Sequence, residues 1–155
     1  MRILIFILLS SVCYSQSRVD KKKNIQLKAI RYTSAYFSGF AEGTQDALNF
    51  HYSSFKRVHP KARDQFWNPA ISWTNKYKNH DPQLSERFIG SSTFLVWTTD
   101  GWHRMKAINR LGVVGASIII PIGEKKKWHW YLKEIAIGYV INRAGFYTSY
   151  NLIYK

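Results

Sequence analysis

Residues 26–57 have the sequence QLKAIRYTSAYFSGFAEGTQDALNFHYSSFKR, a stretch without proline in which apolar residues recur at intervals of three or four. This interval places the apolar side chains along one face of an α-helix. The stretch therefore predicts one long helix, or two helices that meet near Gly39–Gly43. The small residues Gly39, Ala41 and Gly43 would let another helix approach closely.

The second predicted helix covers Ser91–Ile120. Ser91 or Ser92 can cap its start, because a serine hydroxyl accepts a hydrogen bond from a backbone N–H of the first turn. Pro121 follows the helix and ends it. The apolar run Leu111–Ile122 within this region has 12 residues, which is short of the roughly 20 that a membrane span needs.

The last predicted helix runs from Trp128 to about Ala144 and ends at Gly145, a residue typical of helix C-termini. The aromatic tail 146–154 would form a short helix or a strand. Residues 58–90 contain three prolines and many aromatic side chains, and they predict a long ordered aromatic loop. We therefore expect an all-α fold: a small helical bundle of three to five helices with this loop.

The N-terminal segment has the pattern of a secretory signal peptide: a basic start at Met1-Arg2, an apolar run over Ile3–Leu9, and then small residues. The apolar run is too short to span a bilayer. We therefore expect a signal peptide over 1–15, a disordered leader over 16–25 and a single helical domain over 26–155. The expected location is the periplasm or the membrane-associated cell envelope.

The net charge of the chain indicates the class of its partner, and its cysteine content indicates whether it forms disulfides. The chain has a formal net charge of +14, and removal of the signal peptide, whose one charged residue is Arg2, leaves +13. This balance favours an anionic membrane surface or envelope glycan as partner, and export disfavours nucleic acid. The one cysteine, Cys13, lies within the signal peptide, so the mature chain would have no disulfide. Lipidation at Cys13 is the alternative, and the oligomeric state is left open.

Polar residues at helical spacing interrupt the apolar segments and form a candidate polar cluster. Asp100 and His103 lie three residues apart and share a helix face, as do Glu42 and Asp46 at four residues. Glu134 lies near the start of the last helix. In a bundle these groups can converge, and a histidine between carboxylates can transfer protons or hold a metal with them. The alternative is a network of hydrogen bonds and ion pairs that fixes the helix register.

Two further groups of residues are candidate contact surfaces. The aromatic side chains of the loop would stack on the faces of a glycan, or would pack the loop onto the helices; with the neighbouring lysine, they are Trp67, Trp73, Lys76 and Tyr77. The basic turn before the last helix would face lipid headgroups; its residues are Lys125, Lys126, Lys127, Trp128 and Trp130. The sequence contains no nucleotide-binding or zinc motif. No cofactor is therefore predicted, and a metal at Asp100/His103/Glu134 is the lesser alternative.

Two segments resemble known bacterial proteins. Thr99-Asp100-Gly101-Trp102-His103, followed by Lys133-Glu134 on a later helix, resembles the helix starts of VanZ-like small envelope proteins. Gly101 stands where that family has a lysine, and the histidine is one position closer. The stretch 39–77, with its Phe-Trp-Asn-Pro and Trp-x-Asn-Lys-Tyr-Lys motifs, resembles a family of uncharacterised bacterial envelope proteins. These resemblances imply an envelope location and a shared importance of Asp100, His103 and Glu134.

The expected function is that of a basic, non-enzymatic envelope protein, peripheral to or partly embedded in a membrane. One alternative is a hydrolase of an envelope lipid or glycan in which His103 is the base and carboxylates orient it or bind a metal; these are Asp100, Glu134 and Glu42. A second alternative is a glycan-binding module built on Trp67, Trp73 and Tyr77. The hydrolase requires that Asp100, His103 and Glu134 converge, and the glycan-binding module requires three exposed rings side by side.

Overall fold

The computed structural model describes the backbone of residues 2–119 and 126–155. This part of the chain is all-α, as predicted, and contains no strand. It contains six α-helices: α1 (Arg2–Phe50), α2 (Tyr52–Val58), α3 (Asp64–Trp67), α4 (Pro69–Ser72), α5 (Gly101–Ile119) and α6 (Trp128–Tyr147). A π-helical segment, Thr148–Ile153, continues α6.

Helix α1 passes through Gly39–Gly43 without interruption, so the first alternative, a single helix there, is the correct one. The break falls later, at His51, whose φ of −138° and ψ of 40° are not helical. Residues 16–25, for which composition predicts a disordered leader, lie inside α1, because residues 2–38 contain neither proline nor glycine to interrupt it. Cleavage of residues 1–15 stays a prediction.

Helices α1 and α6 approach each other through glycines on both sides. A Cβ atom added to Gly39 would clash with the carbonyl oxygen of Asn142, and one added to Gly43 would clash with the hydroxyl of Ser149. The predicted close approach of a second helix at these glycines is therefore confirmed. Gly145, where the sequence predicts a helix end, instead lies within α6, which needs a small residue there to contact α1.

Helix α5 packs on α1 through small and polar residues. Ser38 Oγ donates to the carbonyl oxygen of Asn109 at 3.1 Å, and Asn109 Nδ2 donates to the carbonyl oxygen of Ser38 at 3.2 Å. Further along, Gly115 faces Ser34, with 3.6 Å between an added Cβ and the serine hydroxyl. Residue numbers thus rise along α5 as they fall along α1, so α5 is antiparallel to α1. Helix α6 is parallel to α1, because Gly39 meets Asn142 and Gly43 meets the later residue Ser149.

Helix α5 begins at Gly101, ten residues after the start that the sequence predicts. Ser91 and Ser92 do not cap it, because their hydroxyls donate to a backbone carbonyl and to a glutamate in the preceding segment. Asp100 caps it instead: Oδ1 accepts a hydrogen bond from the backbone N–H of His103 at 2.8 Å.

Residues 58–90, where a long aromatic loop is predicted, contain α3, α4 and two short 3-10 helices at Trp73–Lys76 and Lys78–His80. Asn68 starts α4, because its Oδ1 accepts from the backbone N–H of Ala70 at 3.1 Å. Asn75 Nδ2 donates a hydrogen bond to the carbonyl oxygen of Thr99 at 2.9 Å, which links this segment to the residues before α5.

More polar than apolar side chains are buried in the described part of the chain. Among the described side chains, ten polar or charged residues are buried and only six apolar ones, of which four cluster where α1 meets α2 and the C-terminal residues. Large apolar side chains on α5 and α6 point outward, including Leu111 at 72% exposed and Val140 at 65%. In the described ranges, no helix combines the length and the hydropathy required to cross a membrane.

Replacing Gly39 with alanine is expected to lower the free energy of unfolding by about 2 kcal/mol, because overpacking a close contact costs about 1–3 kcal/mol. Gly138→Ala on α6 is the matched control, since a Cβ atom there meets nothing within 4 Å. It should raise the free energy of unfolding by about 0.5–1 kcal/mol through helix propensity. Urea denaturation measures both, and equal effects at the two glycines would contradict the close α1–α6 contact.

Candidate functional site

A buried ion pair joins the first turns of α6 to α1. The side chains of Arg31 and Glu134 are only 6% and 2% exposed, and the guanidinium donates to Glu134 Oε2. Tyr32 Oη donates to the same oxygen at 2.7 Å, and Lys28 Nζ lies 3.5 Å from Oε1. Three groups of α1 therefore hold one carboxylate of α6. For Glu134 this arrangement is the ion-pair network that the sequence left open as the alternative to a catalytic role.

Asp100 and His103 form a second pair, at the start of α5. Asp100 is 1% exposed, and its Oδ2 lies 2.7 Å from His103 Nδ1. Where the Asp100 carboxylate accepts this hydrogen bond, His103 Nδ1 is the donor. The same Oδ2 accepts from Thr99 Oγ1 at 3.2 Å. In the described part of the chain nothing bonds to Nε2 of this 24% exposed imidazole, so Nε2 is the nitrogen left to accept a proton.

The structure does not bring Glu134 to Asp100 and His103. Asp100 precedes Gly112 by 12 residues, which is about 18 Å along a helix axis at 1.5 Å per residue. Gly112 faces Ser34, one turn from the arginine that binds Glu134. The predicted convergence is therefore wrong: α5 and α6 run in opposite directions along α1, so α6 begins near the middle of α1 and α5 begins near its C-terminal end.

Because Glu134 lies far from Asp100 and His103, these three residues cannot bind one metal ion together. Among residues whose positions are described, no group of three or more His, Cys, Asp or Glu side chains could hold a metal ion. Two ligands three residues apart on one helix, without a third, do not complete a metal site.

Glu42 and Asp46 share one face of α1, as predicted, and lie beside α6. Glu42 accepts a hydrogen bond from Arg143, and both of these side chains are about 40% exposed, at 38% and 40%. Burial raises the pKa of Asp46, the Glu42 carboxylate raises it further, and Arg143 partly offsets this. The ion pair of Glu42 with Arg143, near Asp46, is thus separate from Asp100 and His103.

A groove with a volume of about 500 Å³ runs between α5 and α6, and α1 forms its floor. The floor residues recur every three or four positions, as expected for one helix face: Arg31, Ala35, Ser38, Glu42 and Gln45. The α5 wall includes Lys106, Arg110 and Val113, and the α6 wall includes Ile135 and Gly138. The groove therefore contains both Glu42 and Glu134, but neither Asp100 nor His103.

No family model, curated protein or solved structure matches the chain. The resemblances to VanZ-like and other envelope proteins stay predictions.

The aromatic residues proposed for glycan binding do not form one platform. Trp67 packs against the four buried apolar residues at the junction of α1 and α2, Ala47, Leu48, Phe55 and Tyr154, with its ring centroid 5.4 Å from that of Phe55. Trp73 and Tyr77 meet edge to face at 6.4 Å, and Lys76 Nζ lies 5.4 Å from the Tyr77 ring centroid. The glycan-binding alternative requires three exposed rings side by side, and Trp67 does not meet this requirement, because it packs the segment onto α1 and α5.

The basic turn before α6 is described only in part, and Lys125 lies outside the described residues. Lys126 and Lys127 are exposed, and Trp128 is 73% exposed. Trp130 is half-buried instead, with its ring 5.9 Å from the Arg31 guanidinium. Two lysines and one tryptophan of the predicted contact surface are therefore placed outward.

Sequence reasoning missed the residues that shape the groove. Arg31 carries no local signal, because no acidic residue lies near it in sequence and its partner is 103 positions away. The available signal was the recurrence of small and polar residues on α1 at positions 31, 35, 38 and 42, which marks a second, non-apolar face.

Glu134→Gln should lower the free energy of unfolding by about 3–5 kcal/mol, because it leaves Arg31 buried without a countercharge. The control is Glu42→Gln, which removes the same charge from a half-exposed pair and should cost about 1 kcal/mol or less. Chemical denaturation of both variants makes the comparison. Equal losses would contradict the burial of the Arg31–Glu134 pair.

Asp46→Asn should raise the free energy of unfolding at neutral pH. Because burial and Glu42 raise the pKa of Asp46 in the folded state, ionisation of this carboxyl disfavours folding, and the neutral amide avoids that cost. The advantage should disappear as the pH falls through the pKa of Asp46, where the aspartate is itself neutral. Thermal unfolding of both proteins across acidic and neutral pH measures it. An advantage that grows on acidification would contradict the assignment.

Proposed function

We propose that the protein is an exported, basic, non-enzymatic protein of the cell envelope whose helical bundle is partly embedded in one leaflet of a membrane. The observation that supports this most strongly is the distribution of side chains, with polar groups buried and large apolar groups exposed. A water-soluble domain buries chiefly apolar side chains. In lipid, by contrast, helices associate through small residues and polar contacts, and apolar side chains face outward.

The helix contacts have this lipid-type character. Gly39 and Gly43 of α1, spaced by four, meet Asn142 of α6 and Ser149 of the π-helical segment with little between the backbones. Helices α1 and α5 join through reciprocal serine and asparagine hydrogen bonds. Such contacts supply little hydrophobic free energy in water, because they bury little apolar surface. In a membrane they supply packing and satisfy polar groups.

The exposed apolar residues of α5 and α6 would be the lipid-contacting surface. They include Leu111 and Val114 on α5, at 72% and 51% exposed, and Leu132 and Val140 on α6, at 55% and 65%. Contiguous exposed apolar patches mark interaction sites or membrane contacts. An interfacial helix of this kind buries its apolar face about 5–10 Å into the boundary between headgroups and acyl chains.

The positive charge favours an anionic membrane. Lys126 and Lys127 are exposed next to Trp128, at the first turn of α6. Each lysine or arginine near an anionic surface contributes about 1 kcal/mol of attraction. Tryptophan is enriched where lipid and water meet. The basic turn would therefore lie at the level of the headgroups.

Co-sedimentation of the purified chain with vesicles tests this function. The chain should bind vesicles that contain phosphatidylglycerol, and it should bind less at high salt, since surface charge is screened beyond about 10 Å at 0.1 M ionic strength. The double variant Leu111→Glu and Val140→Glu should bind at least about tenfold more weakly. Gln83→Glu, a charge added on an exposed turn, is the control. Absence of vesicle binding by the native chain at any salt concentration would contradict the proposed function.

A second candidate function, hydrolysis of an envelope lipid or glycan, is favoured by one observation, the 2.7 Å contact between Asp100 Oδ2 and His103 Nδ1. In it, His103 Nε2 would act as the base and Asp100 would orient the ring. Glu134 and Glu42 have no part in it, since they lie in the groove.

Asp100→Asn tests the second candidate without removing the helix cap, because asparagine also caps helices. If the native chain hydrolyses a phospholipid or glycan substrate, both Asp100→Asn and His103→Gln should lower kcat by about 100-fold or more, while both variants keep their helical circular dichroism. Hydrolysis that survives in both variants would contradict this role.

A further inference from the structure

The groove between α5 and α6 has the size and shape of a ligand site. Its volume of about 500 Å³ is within the range of about 300–1,000 Å³ that is usual for small-molecule sites. Gly138 on its α6 wall has open space around it, since an added Cβ would meet no atom within 4 Å. The α1–α6 contact uses other glycines, so packing between these helices does not explain this one.

At one end of the groove, small and apolar wall residues lie beside the paired Arg31 and Glu134, and at the other end the α5 wall carries two cations. Val113 and Ala116 of α5 face Ile135 and Gly138 of α6 across the groove. Lys106 and Arg110 lie four residues apart on the same α5 wall, toward the first turn of that helix.

These two cations have no carboxylate partner among the residues that the structure describes. Lys106 Nζ lies over the Trp102 ring, 4.6 Å from its centroid, and Arg110 is exposed. The two carboxylates of the groove are already paired, Glu42 with Arg143 and Glu134 with Arg31. The groove therefore offers positive charge at one end that its own acidic groups do not neutralise.

We propose that this groove binds one anionic phospholipid, with an acyl chain along the apolar walls and the phosphate between Lys106 and Arg110. This rests on the proposed function, because a protein embedded in a leaflet takes its ligand from that leaflet. A guanidinium and an ammonium four residues apart can both donate charge-assisted hydrogen bonds to one phosphate. The zwitterionic headgroup of phosphatidylcholine carries its own positive charge, so it gains less there.

Titration of the detergent-solubilised full chain with pyrene-labelled phosphatidylglycerol, and with the matching phosphatidylcholine, tests the site. The native chain should bind about one phosphatidylglycerol and prefer it by about tenfold or more, because hydrogen bonds to charged groups are worth roughly this factor each. Gly138→Trp should fill the groove and weaken binding by at least about tenfold. Ala136→Trp, an exposed position on the same helix that does not line the groove, is the control and should bind as the native chain does.

A second pair of variants adds no bulky side chain to the groove, so it tests the site even if the added tryptophan causes misfolding. Lys106→Gln with Arg110→Gln should remove the preference for phosphatidylglycerol over phosphatidylcholine, whereas Lys133→Gln on an exposed part of α6 should keep it. Unsaturable binding, or a preference that survives Lys106→Gln with Arg110→Gln, would overturn the lipid site. So would a dimer in sedimentation analysis that Gly138→Trp dissociates, because a second copy would then occupy the groove.

The failure of this site is distinguishable from the failure of the proposed function. Gly138→Trp changes no outward apolar residue, so it should co-sediment with vesicles as the native chain does. Vesicle binding by the native chain without saturable phosphatidylglycerol binding would overturn the groove ligand alone. Loss of vesicle binding in the native chain would overturn the proposed function itself.

Discussion

The close contact of α6 with α1 is the constraint on which the rest of the structure depends. Glycines let the two backbones touch, and the buried Arg31–Glu134 pair fixes the register, since a slip of one turn would leave two charges unpaired. With α6 held on one side of α1 and α5 on another, the two helices leave a groove between them. The groove is thus a consequence of how both helices pack on α1.

Polar and small residues make the helix contacts, so the large apolar side chains are left for the outer surface. Buried polar groups are stable only when they are paired, and here Glu134 and Asp100 each have several partners. Large apolar side chains on the outer faces of α5 and α6 and helix contacts made by paired polar groups are mutually consistent in lipid. The membrane location that we propose would account for both the contacts and the surface.

The sequence was informative where local spacing decides the outcome and failed where distant contacts decide it. Helical periodicity predicted α1 and placed Asp100 beside His103, because residues three apart on a helix are neighbours. Ser91 and Gly145 carry ordinary cap signals, but tertiary contacts use them for other purposes. Composition does not reveal the relative direction of two helices, and it is this direction that separates Glu134 from Asp100 and His103.

Spin labels on single-cysteine variants, with Cys13 replaced by serine, test the membrane location most directly. One label replaces Leu111 on the outward face of α5, and the other replaces Gln83 on an exposed turn. With anionic vesicles present, we expect the label at 111 to collide mainly with oxygen, which concentrates in lipid, and the label at 83 to collide mainly with a water-soluble nickel complex. Equal, water-like accessibility of both labels in the vesicle-bound protein would contradict the embedding of the bundle in a membrane.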